Sequence, residues 1–115
     1  MIAHVILFQP HPELTPAQRG AVLAALESAV RKAPTVRACR IGRRVLHGLP
    51  GYEQSMAQDF EFAAILEFDD VDGLRAYLQH PAHHVIGQHF STAAAAALAF
   101  DYEMVPLEQA RALLA

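Results

Sequence analysis

The chain has 115 residues, 53% of them hydrophobic and 18% charged, with a formal net charge of −3. It is too apolar to be disordered and long enough for one domain with a real core. The acidic balance leaves no electrostatic footprint for nucleic acid or an anionic membrane, the single cysteine allows neither an internal disulfide nor a zinc cluster, and no run is long enough to span a bilayer.

Residues 2–9 are a β-rich apolar run without a basic flank, expected to be a strand rather than a leader. With the lone Cys39, this points to a reducing, cytoplasmic setting. Period-2 alternation puts Ile2, His4, Ile6 and Phe8 on one face and Ala3, Val5, Leu7 and Gln9 on the other. Both faces are mostly apolar, so both should be covered. Pro10, His11 and Pro12 end the run. Thr15, Pro16 and Gln18 then form a helix start: a capping hydroxyl, a proline in the first turn and the reciprocal glutamine of a capping box. Val22, Leu23, Leu26 and Val30 follow at helical spacing, and Pro34 closes the helix.

A second strand is predicted over residues 36–45. It carries the one dense basic stretch, Arg37, Arg40, Arg43 and Arg44, with no aromatic interleaved to stack on bases, so it reads as a solvated strand edge. Gly48, Pro50 and Gly51 mark a loop running to about Asp59. Residues 60–68 alternate as a third strand. Asp69 or Asp70 can cap a short helix with Val71, Leu74, Tyr77 and Leu78 on one side. His80-Pro81 breaks that helix, and Pro81 suits the first position of the next, expected to reach about Ala97 through the alanine-rich residues 92–99. Residues 100–105 are the last predicted strand, and Pro106 opens an amphipathic tail with Leu107, Ala110, Leu113 and Leu114.

The order β-α-β-β-α-α-β predicts an α+β, ferredoxin-like domain over residues 1–105, a four-stranded antiparallel sheet with helices on one face, and a short helical extension over 106–115. The other sheet face, with Val5, Leu7, Ile65 and Val105, needs cover. A second sheet from an identical chain would supply it, as a two-fold homodimer.

The histidines divide by geometry. With Pro81 at the first helical position, His80 is the cap. At 100° per residue, His83 shares a stripe with Ile86, Phe90, Ala94 and Ala97, while His84 points away with Gln88 and Ser91. His83 should face the sheet and His84 water. Burial and the positive end of the helix dipole both disfavour protonation of His83. Tyr77, at the end of the preceding helix, can reach the same space, and so can His4 if its strand face looks at the helices. A buried His and Tyr that only satisfy each other is the plainer alternative. His80, His83 and His84 diverge around the helix, so no metal site is expected from them.

The opening Ile2-Ala3-His4-Val5-Ile6-Leu7-Phe8, the segment Tyr77-Leu78-Gln79-His80-Pro81-Ala82-His83 and the closing Phe100-Asp101-Tyr102 together resemble the stress-responsive dimeric α/β-barrel (Dabb) family over about residues 1–104. The resemblance implies a ferredoxin-like monomer and a dimer formed by two facing sheets. The family includes stress-induced proteins without assigned activity and a polyketide cyclase that works by aldol chemistry. The functional tyrosine and histidine of that cyclase fall on Tyr77 and His83, and a first-strand pocket histidine falls on His4. A third-strand pocket histidine falls on Phe62, a departure from the cyclase pattern.

The resulting expectation is a stress-responsive homodimer with a small apolar pocket formed by His4, Ile6, Phe62, Leu74 and Phe90. Tyr77 and His83 would be its catalytic pair, and its ligand a small aromatic or acyl-like molecule, with no cofactor and no metal. Rival expectations are a lyase or cyclase using the Tyr/His pair, a cofactor-free monooxygenase by analogy of fold, and a purely structural stress protein.

Overall fold

The computed structural model describes residues 1–115. Strand β1 (Ile2–Pro10) leads into helix α1 (Pro16–Lys32), strand β2 (Ala38–Arg43), strand β3 (Phe62–Phe68), helices α2 (Val71–Leu78) and α3 (Pro81–Ala93), and strand β4 (Ala94–Glu103). The sheet order is β2-β3-β1-β4 and every pairing is antiparallel.

Local signals set the helix starts. Thr15 and Gln18 form the reciprocal capping box, Asp70 accepts from the Gly73 amide, and the His80 ring accepts from the Ala82 amide ahead of Pro81. The buried stripe of α1 is Ala25, Leu26 and Ala29, with Val22 and Val30 partly buried, whereas Leu23 is exposed. Small residues on that stripe let α1 lie close to the sheet and to α3.

The alanine-rich segment departs from expectation. Helix α3 stops at Ala93, and Ala94 begins a ten-residue strand, so Ala94 and Ala97 are not on the helical stripe with His83. Alanine's helix propensity amounts to a few tenths of a kcal/mol per residue. Here it is outweighed by a ladder along the whole free edge of β1, running from Ile2 opposite Glu103 to Pro10 opposite Ala94, with a register shift at Gln9/Pro10. Strand β4 ends before Val105, which lies half-buried beyond the sheet. Strand β2 is also shorter than its pattern. The chain leaves the sheet where Arg44 pairs with Asp59 and donates to the Glu53 carbonyl, closing the base of the loop, and Gly48 and Gly51 take φ of +81° and +84° within it.

The core lies between the helices and one sheet face. Ile2, Ile6, Ala64, Leu66 and Phe68 meet Leu26, Ala29, Leu74, Tyr77 and Ile86 there. The opposite face is bare. Val5 stands across from Ile65 and Phe100, and Leu7 across from Leu98, while Ile65, Leu98, Phe100 and Tyr102 are all exposed. The chain is a slab of 44 × 43 × 17 Å with a radius of gyration of 15.7 Å, against about 13 Å for a compact domain of this length. It exposes 7881 Å², where a monomeric protein of its mass exposes about 6,200 Å². After β4, Leu107–Leu114 form a 3₁₀ helix in which Ala110 is half-buried and Leu113 45% exposed, while Leu107 and Leu114 stand 87% and 86% exposed. No helix is long and apolar enough to cross a membrane.

Candidate functional site

The end of α2 and the start of α3 deliver Tyr77 and His83 to the same point above β1. Tyr77 is on the buried stripe of α2 with Leu74, one turn before the His80–Pro81 break. That break turns the chain so that the first turn of α3 faces the phenol. The Tyr77 and His83 rings meet edge to face with centroids 5.0 Å apart. His4 approaches from the sheet, 6.1 Å from Tyr77, and Phe68 supports the phenol at 5.4 Å. His84 is exposed, as its position on the helix requires.

His4 has a partner that sequence reasoning missed. Its Nδ1 lies 2.5 Å from Oδ1 of Asp101, its register partner on β4. With Nδ1–H donating to the carboxylate, Nε2 is the nitrogen left for other work. Asp101 is partly open to water, while His4 is buried. The available signal was the alternation of β4, which turns Asp101 inward between two aromatic residues that turn outward.

The environment fixes two protonation states. Burial, and then the neighbourhood of Cys39, push the Tyr77 phenol up to about 12, so it is a donor at any physiological pH. Burial, followed by the nearby His4 and His84, lowers His83 below the ordinary histidine range. His83 is therefore a neutral base beside a protonated phenol. The unfolded chain takes up the His83 proton more readily than the folded one does. The stability linked to this group is full above the unfolded value of about 6.5 and is lost as pH falls from there through the lower folded value. Thermal melts between pH 7.5 and 5 are expected to fall less steeply for His83→Gln than for the native chain, and equal slopes would contradict the assignment.

Of the remaining expected pocket residues, Phe62 and Phe90 line a cavity of about 320 Å³ between the sheet and the helices, with Phe8 edge to face against Phe90 at 5.0 Å. His4, Ile6, Leu74, Tyr77 and His83 are not on its wall. Ile6 and Leu74 are core. Ile6 stands between His4 and Phe8 on the strand, and Ile86 between His83 and Phe90 on the helix; both are buried. The cavity and the Tyr77–His83–His4 cluster are thus neighbours in one interlayer space, one side-chain layer apart. Arg19 and Gly20 of α1, which had not been singled out from the sequence, complete the cavity at its mouth. The structure gathers no three His, Cys, Asp or Glu side chains at a metal-binding distance.

A four-stranded antiparallel sheet in this order, with helices on one face and a bare apolar second face, is the ferredoxin-like architecture in its dimeric α/β-barrel form. The model of the stress responsive A/B barrel domain, Dabb, matches residues 2–104, and the chain belongs to that family. No curated protein matches it. Among solved structures, it is 27% identical to a dimeric ferredoxin-like protein of unknown function from Thermobifida fusca, with 90% of each chain covered and a TM-score of 0.69. It is similar in fold to a hydroxynitrile lyase from Passiflora edulis, at 16% identity over 91% of this chain and 96% of that one, TM-score 0.74. It shares the fold also with SnoaB, a cofactor-independent oxygenase from Streptomyces nogalater, at 16% identity over 91% and 93%, TM-score 0.67.

Proposed function

We propose that the protein is a homodimer that binds a small aromatic or acyl-type molecule between its sheet and helices, with Tyr77, His83 and His4 as the polar groups of the site. One observation carries this reading: burial holds a protonated phenol and a neutral imidazole with ring centroids 5.0 Å apart, one side-chain layer from an apolar cavity in the same interlayer space. Apolar space with a few polar groups at one end is the usual form of a ligand site. The test is a titration with a panel of acyl and phenolic compounds, followed through the ring resonances of Tyr77, His83 and His84. Binding should move the first two and leave His84 still. A panel without a binder, or binding that leaves Tyr77 and His83 unmoved, would overturn the reading.

The same protonation states favour a second reading, a lyase or cyclase. A neutral His83 nitrogen can take the proton from the carbon α to a carbonyl, while the Tyr77 hydroxyl donates to the developing enolate oxygen. The enolate carbon then attacks a second carbonyl of the substrate, whose C=O π bond opens to an alkoxide, and that oxygen takes the proton back from His83. The lyase and the oxygenase of similar fold support only that this architecture accommodates such chemistry.

The homodimer rests on the bare sheet face and on the dimeric state of the Thermobifida fusca protein. The chain's surplus of exposed surface exceeds the roughly 800 Å² per partner that a stable interface takes. The exposed leucines of the tail belong to the same assembly, packing on the partner. Removal of residues 107–115 is expected to lower the melting temperature of the dimer, measured by calorimetry, and an unchanged melt would remove the tail from the interface.

A further inference from the structure

Two features of the cavity wall have no packing explanation. The first is Gly20, inside the second turn of α1. Glycine is the poorest helix former after proline, and a helix keeps one where a neighbour comes too close or φ is positive. Neither holds here: a Cβ built on Gly20 would meet nothing within 4 Å, and the only glycines with positive φ are Gly48 and Gly51. What Gly20 borders is the open space of the cavity.

The second feature is Arg19. It is the one charged side chain on an otherwise apolar wall, and no carboxylate lines that wall. Its own ion pair is loose, with Nη1 3.7 Å from Oε1 of Glu61 and both side chains about two-fifths exposed. Such a pair contributes little and exchanges readily. The mouth also has a cationic surplus. Arg43 is the register partner of Phe62 on the sheet edge, and it shares the adjoining cleft with Arg44, Asp59 and Glu61. Arg44 is matched by Asp59. Glu61 pairs with Arg19 only, which leaves Arg43 without a carboxylate partner.

We propose that the cavity seats a monoanionic amphiphile, an acyl or aryl carboxylate. Its apolar body packs against Phe8, Phe62 and Phe90, its carboxylate takes the place of Glu61 on the Arg19 guanidinium, and Gly20 leaves the mouth clear. The planar guanidinium fork matches a carboxylate bidentately, which a neutral amide of the same shape cannot exploit. This assignment of ligand class rests on the small-molecule reading of the site.

The experiment is calorimetric titration of the full chain with octanoate and with octanamide at neutral pH. Native protein should bind octanoate about tenfold or more tightly than octanamide, Arg19→Gln should abolish that preference by weakening octanoate alone, and Arg19→Lys should restore part of it. Gly20→Leu should weaken both probes while raising the melting temperature, because leucine is the better helix former and fills apolar space. That rise also shows the variant is folded. Equal affinity of the two probes for native protein, or a preference that survives Arg19→Gln, overturns the anion assignment and leaves the broader reading standing. Undiminished binding by Gly20→Leu overturns the role of Gly20. If neither probe binds, the inference falls, and the broader reading falls with it only if the phenolic members of the panel fail as well.

Discussion

Val5→Asp or Ile65→Lys is expected to convert the native dimer to monomer. Val5 and Ile65 face each other across β1 and β3 at the middle of the bare face, with Phe100 on the other flank of Val5. The charges of that face sit on its edge strand and at one end: Arg40 on β2, across from Ile65, already pairs with Glu67. A charge introduced at the centre would be buried without a partner, at a cost of about 3–5 kcal/mol. Two-fold symmetry presents each substitution twice, so the penalty per dimer doubles. Val85→Lys is the control, because Val85 is exposed on the outer side of α3 and should leave the dimer intact. Light scattering at micromolar concentration reads all three variants. A native chain that scatters as a monomer would sink the dimer proposal outright.

The second large effect separates binding from folding. His83→Ala and Tyr77→Phe are expected to keep the dimer and most of the stability while binding of the acyl or phenolic ligand falls by more than about tenfold, or 1.4 kcal/mol. Phenylalanine keeps the ring that packs on Phe68 and loses only the donor. His83 is half-buried in the first turn of α3, so its truncation empties space that borders solvent rather than sealed core. A histidine with a purely structural role behaves differently. Its removal would leave a buried partner unsatisfied and cost about 1–3 kcal/mol of stability. His84→Ala, on the wet side of the helix, should change neither quantity. If His83→Ala unfolds the protein and no compound binds the native chain, the pair is structural.

What could be read from the sequence was what is encoded locally. The capping box at Thr15 and Gln18, the Asp70 cap and the His80–Pro81 break each lie within four residues of their effect, and together they place Tyr77 and His83 side by side. The two-sided apolar strands at residues 2–9 and 60–68 announced the bare face. The non-local features were not readable. Residues 94–99 are helix formers, and only their pairing with β1 some ninety residues earlier makes them a strand. Asp101 is bound to His4 by that same register, across 97 positions. The cavity depends on where α1 crosses Phe8 and Phe62, and no periodicity in α1 specifies that crossing. Leu23 fits the apolar period as well as Leu26 does, yet only Leu26 meets the sheet.

The bare sheet face ties the protein's persistence to its own abundance. If a good part of the apolar surface is buried only on pairing, the folded population obeys mass action, and each tenfold dilution removes about 1.4 kcal/mol from the free energy holding a dimer together against two unfolded chains. A cell that makes little of this protein would hold it in a poorly protected form, open at Phe100, Leu98 and Tyr102 to proteases and to the edges of other sheets. A cell that makes much of it would gain a durable assembly with no change in sequence. Synthesis rate would then act as a stabiliser, and a burst of expression would raise the lifetime of every copy along with their number.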